Sequence, residues 1–193
     1  MNNKRDAVII SAVRTPVGRA RGKFAGIRPE KLGACVMEEA VRRASLRKAD
    51  IEEAIFGNLF GYDVACMGRV AALEAGFPLE MPALTIDRQC SSSLDTLAQA
   101  AIYINAGYED IILTGGVESD SNRPYLMAKP TMPYQTRPPA LMQVGKASTE
   151  EIGDPSMGMT AENVAAKYGI SREACDMFAW QSHQKSIRAT DSG

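Results

Sequence analysis

Between residues 7 and 119, segments patterned as buried strands alternate with segments of helical period, and this alternation constrains the fold more than any other feature. "DAVIISAVRTP" is a β-branched run closed by Pro16, which predicts a buried strand leading into a turn. From Pro29 onward, Leu32, Cys35, Val36, Ala40 and Ala44 recur at three- and four-residue intervals, predicting an amphipathic helix. "IEEAIFGNLF" predicts a second strand, and residues 68–76 a short helix stopped by Gly76 and Pro78. "PALTIDRQ" predicts a third strand; Leu94, Leu97, Ala98, Ala101 and Ile104 mark the expected core face of the next helix, ended by Gly107. "EDIILTGGVES" predicts a fourth strand that enters a turn at Gly115 and Gly116. Strand and helix in regular succession predict an α/β fold: a mixed, mostly parallel sheet with helices on both faces.

After Ser119 the texture changes. Residues 120–159 contain six prolines, several methionines and little periodicity. A connection of that length is uncommon in a compact domain unless it covers or binds something. Helical patterns return in "MTAENVAAKYG" and again after Ser171, whose hydroxyl suits an N-cap ahead of Ala174, Met177, Phe178 and Ile187. The expected organisation is therefore an α/β core over residues 1–119 and an irregular and helical segment over 120–193.

Charge narrows the partners. With 22 basic and 23 acidic residues, the sequence offers no electrostatic reason to expect nucleic acid or a membrane surface. No apolar run approaches the roughly 18 residues of a membrane span, and a cytoplasmic protein is expected. The four cysteines, Cys35, Cys66, Cys90 and Cys175, are widely spaced, and there is one histidine, so no metal site is expected and the thiols should remain reduced.

Cys90 falls where the third strand gives way to a helix, in "IDRQCSSSLDTLAQAA". A helix N-terminus presents free amides and the positive end of the dipole, which favour a thiolate able to attack carbonyls and thioesters. Taken alone, a cysteine beside an apolar strand is more often a small buried hydrophobe, so pattern by itself does not make Cys90 a nucleophile. Any of the three serines after it can cap the helix or bond locally to backbone.

Five segments, from "VIISAVRTPVGR" through "IDRQCSSSLDTLAQAA", "ILTGGVESDSNRPYLM" and "SMGMTAENVAAKYGISRE" to "SREACDMFAWQSHQKS", resemble in order and spacing the N-terminal half of thiolases. The resemblance implies a thiolase-like N-terminal α/β domain plus part of an inserted loop domain, with the C-terminal thiolase half absent from this sequence. It implies that Cys90 is the acyl-accepting nucleophile and that its backbone N–H helps to bind the thioester oxygen. It also implies that Met157, before Gly158, lines the channel for the pantetheine arm of coenzyme A. The activity implied is acyl transfer between a cysteine thioester and coenzyme A, with acetyl-CoA or another acyl-CoA as substrate and no bound cofactor.

Two positions depart from the family pattern: Asp87 stands where asparagine is common, and Ser93 where glycine is common. An ionised Asp87 would oppose a thiolate unless a cation such as Arg88 neutralises it or it points away. The family's activating Gly-His-Pro histidine and its second cysteine are not found in this sequence. His183 and Cys175 are read as a surface residue and a helix-packing residue. Turnover by these residues alone is therefore not expected, and association is: a homodimer or higher oligomer, or a separate C-terminal half. The alternative from another class is a non-catalytic thiolase-like scaffold or partner subunit.

Overall fold

The structure is a computed structural model that describes residues 5–134, 138–142 and 145–192. It divides into two compact units, the first ending at Leu126 and the second beginning at Met127.

In the first unit, helix α1 (Pro29–Arg43) begins with a proline in its first turn, where no N–H is needed. Glu30 in its first turn and Arg42 and Arg43 in its last complement the helix dipole. Its buried residues, Gly33, Ala34, Met37 and Val41, fall at helical spacing. Cys35 lies on the opposite, exposed side, so it does not belong to the core stripe. Strand β1 (Glu53–Gly57) is buried at every position, as expected for a strand covered on both faces. Helix α2 (Met67–Glu74) is followed by Gly76 at φ 71°, and strand β2 (Ala83–Ile86) leads through a short turn to helix α3 (Ser92–Ala106). Gly107, at φ 74°, ends α3 in the left-handed conformation that glycine adopts without steric cost, and strand β3 (Ile112–Gly116) follows.

The strands form one parallel sheet in the order β2-β1-β3, with Ile55 opposite both Leu84 and Thr114. Helices α1 and α2 pack together on one face, while α3 packs on β1 and β3 from the other. Phe56, Met37, Ile55 and Met67 are almost completely buried. Each such side chain contributes about 1.5–3 kcal/mol by leaving water.

Three expectations need correction. The run from Ala7 to Val17 joins no strand, and Val8, Ile9 and Ile10 are 73%, 69% and 62% exposed. The segment stands off from the outer edge of β3, so its β-forming residues have no ladder to enter. On α3 the buried residues are Ser92, Thr96 and Ala100, whereas Leu94 and Leu97 are exposed. The sheet takes the small side chains because the helix approaches the strands closely. Gly115 and Gly116 are residues of β3 itself rather than a turn.

In the second unit, Met127 and Leu141 form an isolated antiparallel bridge. Helices α4 (Met157–Tyr168) and α5 (Arg172–Asp191) then follow, each with a serine N-cap and neither with a buried residue. Ser171 accepts a hydrogen bond from the Ala174 amide, as its position predicts. Cys175 is exposed rather than packed. Among the described residues no helix is long and apolar enough to cross a membrane.

Candidate active site

The turn between β2 and α3 holds Cys90 with an exposed side chain, not a buried one. The backbone turns because Gln89 adopts φ 51°, left-handed for a residue with a side chain. That conformation costs about 1 kcal/mol and persists only where surrounding contacts enforce it. Ser92, almost fully buried, supplies two of them: its hydroxyl accepts from the Arg88 amide at 2.8 Å and donates to the Gln89 carbonyl at 2.6 Å. The amides of Ser91 and Ser92 add bonds to the Arg88 and Gln89 carbonyls, both at 3.1 Å.

Two glycines let the start of α3 press on the C-terminal ends of the strands. A methyl group on Gly57 would lie 2.8 Å from the Ser92 Cβ, and one on Gly116 only 2.0 Å from the Ser93 hydroxyl. Fully buried Thr96 secures the contact from within, donating to the Ser93 carbonyl at 2.8 Å, with the Gly115 carbonyl at 3.2 Å. The exits of β1 and β3 are tied together beside this turn. Glu118 accepts from the amides of Leu59 and Phe60 at 2.9 and 3.2 Å, and Asn58 donates to the Val117 carbonyl at 2.8 Å. In the loop beyond, the Arg28 guanidinium lies 2.7 Å from Asp63 and holds that carboxyl below its ordinary range.

Arg88 does not neutralise Asp87. It pairs with Asp95 at 3.0 Å, which also accepts from Gln99 at 2.9 Å. Asp87 instead accepts from the Gln89 amide at 2.9 Å, a bond within the turn. Ser93 is accommodated inside the first helical turn without a left-handed backbone.

Met157, 73% exposed, is the first residue of α4, where Ser156 caps the helix by accepting from the Met159 amide at 3.3 Å. His183 is exposed on α5. Of the residues that shape the Cys90 turn, the sequence pointed to the cysteine and to local bonding by the serines after it, and the family resemblance to Asp87 and Ser93, but neither pointed to Gly57, Asn58, Thr96 or Glu118. Their signal was the position of "GN" and "GGVES" at the C-terminal ends of parallel strands, where α/β sheets build their sites.

An exposed sulfur directly ahead of a helix N-terminus, on a turn held rigid from three sides, can act as a nucleophile toward a carbonyl carbon. Residues 7–193 match the family described as "Thiolase, N-terminal domain". The chain is 38% identical to the beta-ketoadipyl-CoA thiolase of Acinetobacter baylyi, the match covering 98% of this chain and 49% of that protein. It is 40% identical to the 3-ketoacyl-CoA thiolase of Bacillus subtilis, over 98% of this chain and 46% of the relative. The crystal structure of the Bacillus anthracis acetyl-CoA acetyltransferase superposes with a TM-score of 0.91 at 34% identity, covering all of this chain and 50% of that one. The chain thus spans about half the length of the relatives it matches.

Proposed function

The chain belongs to the thiolase family, and from that premise we propose that it supplies the acyl-accepting half of an acetyl-CoA C-acyltransferase. The Cys90 thiolate attacks the thioester carbonyl of acetyl-CoA or another acyl-CoA. The carbon–sulfur bond to coenzyme A breaks, coenzyme A leaves as the thiol after taking up a proton, and the acyl group stays on Cys90. A coenzyme A thiol, or the carbanion of a second acetyl-CoA, then attacks the acyl-cysteine and restores the free sulfur. The observation that carries this reading is the exposed Cys90 on its braced turn ahead of α3. The Cys90 amide contributes to oxyanion binding, and Met157 to the surface that receives the pantetheine arm. No bound cofactor is required, because the coenzyme A thioester is itself the substrate.

Turnover needs a proton acceptor beside Cys90 and a second acid–base group on the condensing substrate. We assign both to the other half of a thiolase, brought in on the same polypeptide or by a partner subunit, in a cytoplasmic oligomer. Intact mass after incubation with acetyl-CoA or acetoacetyl-CoA, with that half present, tests the assignment. An acyl adduct is expected, and its loss in Cys90→Ala, with activity down by at least about a thousandfold. No adduct on the unaltered chain, together with a partner whose activity is indifferent to Cys90→Ala, would establish the scaffold reading instead.

A further inference from the structure

One buried hydroxyl ties the sheet to the helix that carries Cys90 at its start. Thr96 is fully buried, and its single hydroxyl proton is shared between the Ser93 carbonyl at 2.8 Å and the Gly115 carbonyl at 3.2 Å. The first acceptor lies in the opening turn of α3 and the second in β3. Among the described residues this is the one side-chain hydrogen bond that crosses from α3 to the sheet.

The rest of that contact is packing. A methyl group on Gly116 would meet the Ser93 hydroxyl, and one on Gly115 would lie 2.9 Å from the Phe56 ring, so β3 ends in two residues that have no side chain to hold the helix. Apolar contact limits how near α3 can come but is non-directional, whereas a hydrogen bond fixes both distance and angle. Placement matters at this end of α3, because no side chain caps it. The dipole of its first turn therefore acts on whatever stands just ahead, and that influence falls off within one turn. A small slide of the helix changes what the Cys90 sulfur experiences.

We propose that Thr96 is a positioning residue for Cys90: its hydroxyl registers the first turn of α3 against β3 and thereby holds the sulfur at the helix start. The route runs through two adjacent serines. Ser93 offers its carbonyl to Thr96, and Ser92 bonds to the Arg88 amide and the Gln89 carbonyl immediately before Cys90. Thr96 is sealed from solvent and acts only through that turn. The inference rests on the reading of Cys90 as the nucleophile.

The test compares variants of the 193-residue chain by the rate at which iodoacetamide labels Cys90, read by peptide mass spectrometry against the exposed Cys35 and Cys175. Thr96→Val keeps the shape and removes the proton, and should slow labelling of Cys90 at least about threefold while the other two thiols react as before. Thr96→Ala carries the same expectation should the valine variant not fold. Thr96→Ser keeps the hydroxyl and should return the rate to that of the unaltered chain. Val41→Ala, at a buried position on α1, should lower the urea midpoint and leave the Cys90 rate unchanged. Equal rates in Thr96→Val and the unaltered chain would overturn the proposal. So would a Thr96→Ser variant as slow as Thr96→Val, since the methyl group would then hold the helix, or equal slowing in Val41→Ala, since lost stability would then explain the effect. Acyl transfer plays no part in this readout. A failure here leaves the assigned chemistry standing, and a chain that labels as expected yet accepts no acyl group defeats that chemistry alone.

Discussion

The two units make opposite use of their apolar residues. In the first, the core gathers Met37, Ile55, Phe56 and Met67 around a three-stranded sheet, and the candidate nucleophile is braced against that sheet. In the second, Met177, Phe178 and Trp180 lie on a well-capped helix but are 53%, 77% and 57% exposed. The difference teaches that helical structure and a core are separate achievements. Serine caps mark the starts of α4 and α5, whereas burial needs a second surface.

The widest test of that contrast pairs one phenylalanine from each unit. Phe56→Ala, at a position 1% exposed, should cost about 3–5 kcal/mol in urea unfolding, while Phe178→Ala should stay within about 0.5 kcal/mol. Equal costs would mean that Phe178 is covered in solution and would break the comparison.

Gly116→Ala comes next. Its methyl group would collide with the Ser93 hydroxyl, pushing the start of α3 off the sheet at a cost of about 1–3 kcal/mol. The same variant should slow alkylation of Cys90 relative to the other exposed cysteines, as read by iodoacetamide labelling and mass spectrometry. Unchanged stability and labelling would show that the Cys90 turn does not depend on close approach.

A smaller effect is expected in the second unit, where structure rests on caps. Ser171→Ala removes the acceptor for the Ala174 amide and should cost about 1 kcal/mol, seen as lost helicity by circular dichroism at raised temperature. Helicity that survives intact would indicate tertiary support for α5.

The smallest effect concerns pH. Burial pushes the Glu53 carboxyl up, and Glu109 is raised by burial and then by the charges of Glu53 and Glu52. For a carboxyl raised on folding, the associated stability is fully present below its unfolded value of about 4.3 and is lost as pH rises through the raised folded value. Glu53→Gln should therefore flatten the decline in urea midpoint above that range and gain on the order of 1 kcal/mol at neutral pH. Parallel curves for the two proteins would show that the pair is solvated.

Much of this was legible in the residues themselves. Helix spacing from Pro29, the glycine stops at Gly76 and Gly107, the strand in "IEEAIFGNLF" and the Ser171 cap are local signals, and each matches an observed element. Cys90 was legible as a residue on a strand-to-helix turn, since β2 and α3 could both be read on either side of it. Local bonding by the serines after Cys90 was legible too, and Ser92 makes it to the Arg88 amide and the Gln89 carbonyl. The part of Thr96 was not legible, because only the approach of α3 to β3 brings its hydroxyl to the Gly115 carbonyl.

By itself, then, the sequence determined where the chain is helical, where it is extended and which thiol stands at a helix start, because propensity, periodicity and capping act over a few residues. Only the tertiary structure decided which apolar faces are covered. Leu97 and the run from Ala7 to Val17 have the pattern of core residues yet border an open cavity, since burial depends on whether another surface arrives, and no local pattern encodes that.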